Sequence, residues 1–92
     1  MEDLNIIINE LNICIEAKEL ELENCTNLNS YRDGYLRNSR RAIDMLASFI
    51  PDLTDTARQD PTQTQRIIND FRQSANNIKT DIAMINCTAG LA

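Results

Sequence analysis

The chain reads as an all-α domain: three long helices in an up-down-up bundle with a short helical connector, associating through the first helix. Three observations carry that expectation. From Asn5 to Cys25 the sequence falls into rows of seven with apolar residues returning at fixed places, the mark of a helix lying lengthwise along other helices. Gly 2 and Pro 2 leave little turn chemistry for a many-stranded sheet. Hydrophobic residues make up 42% while aromatics are only 4% and Trp is absent, so the core must be aliphatic. A length of 92 residues suits one domain, 1–92, and is too short for two.

The first helix is expected over about residues 3–27, with early acids at the positive end of its dipole. Leu4, Ile8, Leu11, Ile15, Leu22 and Cys25 share one face, flanked by Ile7 and Cys14, and form a core stripe. A second set, Ile6, Ile13, Ala17 and Leu20, falls near the opposite side. Asn5, Asn9, Asn12 and Glu16 separate the two on one flank. Alternating Leu4-Ile6-Ile8 and Leu11-Ile13-Ile15 also fit strands. The helix is preferred because the same rhythm continues through Glu16–Glu23 in strong helix formers, with no Gly or Pro between.

Cys25 to Gly34 is the first break. Either the first helix ends near Asn27 and Ser30 caps the next, or it runs to Arg32 with Asp33-Gly34 as the turn; the first is preferred. The second helix is expected over about 31–49. Its apolar set is Tyr35, Leu36, Ala42, Ile43, Leu46, Phe49 and Ile50, and Pro51 biases Ile50 away from helix. A connector over 50–60 follows, anchored by Leu53, with Asp52 or Thr54 able to cap one short turn. The third long helix, about 61–87, has the clearest start. Asp60-Pro61-Thr62-Gln63 sets a capping Asp before Pro at the first helical position. Ile67, Ile68, Phe71, Ala75, Ile78, Ile82 and Ile85 form its apolar face, and Gly90 lies past its end.

Charge is segregated. Residues 1–25 hold seven acids and one base, residues 26–50 four bases and two acids, and residues 51–92 four bases and five acids, giving the net −5. With the first two helices antiparallel, Glu19, Glu21 and Glu23 approach Arg37, Arg40 and Arg41. The bland reading of those arginines is a solvated or internally paired face; the sharper one is a patch for an anionic partner. Net acidity disfavours nucleic acid.

No His is present, which removes the commonest metal ligand and catalytic base. Neither a Gly-rich phosphate loop nor a calcium-loop spacing occurs, so neither catalytic residues nor metal or cofactor ligands are assigned. The cysteines Cys14, Cys25 and Cys87 are odd in number and lack C-x-x-C spacing. That pattern, without a leader sequence, leads to an expectation of free thiols in the cytoplasm. Asn-Cys-Thr occurs twice, at Asn24-Cys25-Thr26 and Asn86-Cys87-Thr88, each near a helix end and each matching a glycosylation acceptor. With the first and third long helices parallel, a Cys25–Cys87 bridge is geometrically conceivable, but free cysteines are preferred. No apolar run approaches a membrane span.

These features predict a non-enzymatic protein–protein interaction module: a small adaptor, chaperone, inhibitor or assembly subunit. Ile6, Ile13, Ala17 and Leu20 would meet a protein partner or a second copy, as a homodimer. The alternatives are a nucleic-acid-associated regulator using Arg37, Arg40 and Arg41, or a self-assembling structural subunit.

Overall fold

The rows of seven in the sequence become α1 (Glu2–Leu22). The computed structural model describes residues 1–26 and 30–88. Glu2 and Asp3 occupy the first turn of α1. The helix stops at Leu22, earlier than the spacing suggested, and Cys25 and Thr26 carry no helix. The Cys25 amide donates to Leu22 O at 3.0 Å, which tightens the last turn, and Cys25 is bonded to Cys87. Residue 27, the expected end, lies outside the described residues.

The second helix, α2, spans Ser30–Ser48. Ser30, expected as the cap, is itself the first helical residue, so the cap position falls outside the described residues. At the far end Ser48 Oγ donates to Met45 O at 2.6 Å. Pro51 does not open a loop. It stands in the first turn of α3 (Ile50–Gln59), where a missing amide costs nothing. The connector is therefore a helix, entered with no side-chain cap. Thr54 instead accepts from the Met1 amino group at 2.9 Å.

Asp60 caps a 3₁₀ turn, Pro61–Gln63, that leads into α4 (Thr64–Ala83). The expected start is thus present, one tight turn before the α-helix proper. The helix ends four residues short of the expected Cys87; the Met84 amide is shared between Thr80 O and Asp81 O at 3.3 Å each. Gly90 and the last residues of the chain lie outside the described residues.

Three long helices and a short helical connector, with no strand among the described residues, make the all-α bundle. Leu4, Ile7, Ile8, Leu11 and Ile15 from α1 meet Ile43 from α2 and Ile67, Phe71, Ala75 and Ile82 from α4. Leu53 and Ala57 of α3 pack against one end of this core. Phe49, expected in the core, is 51% exposed; its neighbours Ile50 and Leu53 pack there instead. α1 and α4 run parallel and pack directly on each other, and α2 runs back against both in an elongated body of 51 × 18 × 16 Å.

Candidate partner-binding face on the first helix

Burial divides α1 into two sides. Leu4, Leu11 and Ile15 are fully buried, while Ile6, Ile13 and Leu20 are 47%, 67% and 64% exposed. Ala17 is also exposed. Steps of seven place Ile6, Ile13 and Leu20 on one line along the helix, with Ala17 filling the gap between the last two. The bundle covers one apolar side of α1 and leaves the other in water. Isolated exposed aliphatics are ordinary on any surface; a continuous line of them along three turns and more is a presented face.

Carboxylates rim this line. Glu10 receives Lys79 Nζ at 3.3 Å, and Glu21 is paired with Lys18 at 2.8 Å. Glu19 is paired with Arg40 of α2. Of Arg37, Arg40 and Arg41, the expected α1–α2 charge contact therefore engages Arg40 alone. Among the described residues, Glu16, Glu23, Arg37 and Arg41 make no ion pair, and all four are exposed. Exposed pairs such as these contribute about 0–1 kcal/mol each, so they orient helices more than they hold them.

The end of the bundle where α1 and α4 both finish carries a bridge that the sequence left conceivable but not preferred, and cation contacts that it did not disclose. Cys25 and Cys87 form a disulfide across Cα atoms 5.5 Å apart, well inside the range such bonds require. The expectation of free thiols is corrected for these two; Cys14 remains free and half-buried. Parallel α1 and α4 bring both ends to one place, so the pairing follows from topology. Lys18, the one base in residues 1–25, reaches α4 and donates to Ile85 O at 3.2 Å and Ala83 O at 3.5 Å. A cation there satisfies carbonyls that the helix end leaves open. Arg32, 8% exposed, donates to Cys87 O at 2.8 Å. The only signal for Lys18 was its isolation among acids, and Arg32 had none.

Both Asn-Cys-Thr tripeptides sit at this pole. Asn24 is exposed; Asn86 is half-buried and accepts from Thr88 N at 3.0 Å and Thr88 Oγ1 at 2.7 Å. A shallow groove between α2 and α4 is lined by Tyr35, Ser39, Ala42, Ile78 and Ile85, with Asp81 at its rim. No helix among the described residues is long and apolar enough to cross a membrane. No protein-family model, no curated protein and no solved structure matches the chain.

Proposed function

We propose that this chain is a non-enzymatic helical interaction module that binds a protein partner through Ile6, Ile13, Ala17 and Leu20. The observation that carries the reading is the outward apolar line on α1, with Ile13 and Leu20 each about two-thirds exposed. Burying an aliphatic side chain is worth about 1.5–3 kcal/mol. A partner helix or groove laid on the line gains that from each of its large members, and the rim carboxylates select its orientation.

The arginines of α2 support this reading over a nucleic-acid regulator. Arg40 is held by Glu19 and Arg32 by Cys87 O, which leaves Arg37 and Arg41 as the cations of α2 without an ion pair among the described residues, on a chain of net charge −5. Two cations hold phosphate weakly against such a background. The reading also includes an oxidising compartment. The cytoplasmic expectation rested on free thiols, and a bridge such as Cys25–Cys87 persists where thiols are not kept reduced.

The test uses a photo-cross-linking residue in place of Ile13 in the native host, with Arg72, exposed on α4, as the control position. Protein adducts at position 13 that are missing at position 72 support the reading. Ile13→Glu should keep helical circular dichroism and the melting midpoint, within the roughly 0.5 kcal/mol usual for surface changes, yet abolish association. Equal adducts at both positions, or unfolding by Ile13→Glu, would remove the proposal.

A further inference from the structure

We propose that the occupant of the α1 face is the exposed ridge of α2 on a second copy of this chain, docked antiparallel and head to tail. This rests on the reading of α1 as a protein-binding face and names the partner. Arg37, Arg41 and Met45 on α2, and Phe49 just past its end, follow one another at four-residue steps, and all are exposed. Four-residue steps form a single ridge along a helix. One half of the ridge is basic and the other apolar, with Met45 64% exposed.

The α1 face is its complement when read in reverse. Ile6 and Ile13 occupy its first half; Ala17 and Leu20, flanked by Glu16 and Glu23, occupy its second. Laid antiparallel, Ile6 and Ile13 meet Phe49 and Met45, while Glu16 and Glu23 meet Arg41 and Arg37. Those four charged groups make no ion pair within one copy among the described residues. The contact would repeat between copies what α1 and α2 already do within one, where Arg40 pairs with Glu19. A parallel arrangement would set Arg37 and Arg41 against Ile6 and Ile13 and leave Glu16 and Glu23 facing no cation.

Two α1 faces make a poor symmetric pair. Residues 1–25 carry seven acids and one base, so an isologous contact would bring like charges together on both rims. The α1–α2 contact joins two different surfaces, so each copy keeps one free face after docking. Such contacts close into rings or extend as chains. The surfaces are one helix wide, which places the contact at the small, transient end of interfaces and its dissociation constant in the micromolar range or weaker.

The experiment is sedimentation velocity on the full chain over a wide concentration range. Ile13→Glu spoils only the α1 face and Met45→Glu only the α2 ridge, with circular dichroism confirming that both fold. The wild type should rise beyond dimer mass with concentration, and each variant alone should stay monomeric. An equimolar mixture of the two should stop at a one-to-one dimer, because one intact face of each kind remains. Dimers of wild type that the mixture fails to restore would overturn the proposal in favour of a symmetric pair. A wild type monomeric throughout would also overturn it; selective adducts at position 13 with a different protein would then leave the module reading standing.

Discussion

Asp60 accepts hydrogen bonds from the Thr62 amide at 3.2 Å and the Thr62 hydroxyl at 2.5 Å. Those bonds, the side-chain one foremost, favour the carboxylate and hold its pKa below the usual value. A lowered folded-state pKa means that the charged form supports the folded turn. Its contribution is complete above the ordinary Asp value, about 3.9, and is lost as pH falls below that toward the folded value. The start of α4 should therefore loosen in acid before the core does. Amide exchange at Thr62 and Gln63 measures this. Asp60→Asn should remove the acid step, and an unchanged step in that variant would assign it to another carboxylate. This cap was legible in the sequence because a capping Asp, a Pro and a Gln fall at fixed places within four residues. Arg32 was not legible. Its partner, Cys87 O, lies 55 residues away and is reached only after the helices pack.

Elements were readable wherever apolar spacing was dense, and their ends were not. The core face of α1 was visible because Leu4, Leu11 and Ile15 recur with the period of a helix. The ends of α1 and α4 fell short of expectation because Cys25 and Cys87 answer to each other rather than to the helices that lead to them. Pro51 misled in the opposite sense: a residue that ends one helix also begins the next, and the connector is α3. Gly34 lies inside the first turns of α2, a place with a helical backbone where a side chain would be tolerated. A Cβ there would meet only the end of the Arg37 side chain, at 4.0 Å. Glycine in a helix interior costs about 0.5–1 kcal/mol relative to Ala. Gly34→Ala should raise stability by up to about 1 kcal/mol, read from urea denaturation. A loss instead would mean that α2 needs the freedom of glycine at that turn.

The body of the molecule is long and thin, with a radius of gyration of 15.3 Å against about 12 Å for a compact domain of this length. A rod of small cross-section has much surface for its volume, and its core is one layer of side chains between three helices. The same shape leaves a whole side of α1 uncovered, so the candidate face and the modest core have one geometric cause. In the sequence the two apolar sides of α1 were visible and the Leu4–Leu22 side was read as the core stripe, as burial has it; whether a neighbouring helix would also cover Ile6, Ile13 and Leu20 depended on where it settles. A thin bundle gains correspondingly from a constraint at its pole. The Cys25–Cys87 bond spans 62 residues, and closing a loop of that size restricts the unfolded chain by about 4 kcal/mol in the chain-entropy account, with typical measured values of about 2–4. Against the roughly 5–15 kcal/mol that usually holds a domain, that is a large share. Replacing both cysteines by serine should lower the urea midpoint by a corresponding amount and steepen the transition, because the unfolded chain is freed to expand. The helices should survive in water, since Lys18 and Arg32 still tie α1 and α2 to the end of α4. Equal midpoints for the serine variant and the oxidised chain would show that those two cations alone hold the pole closed.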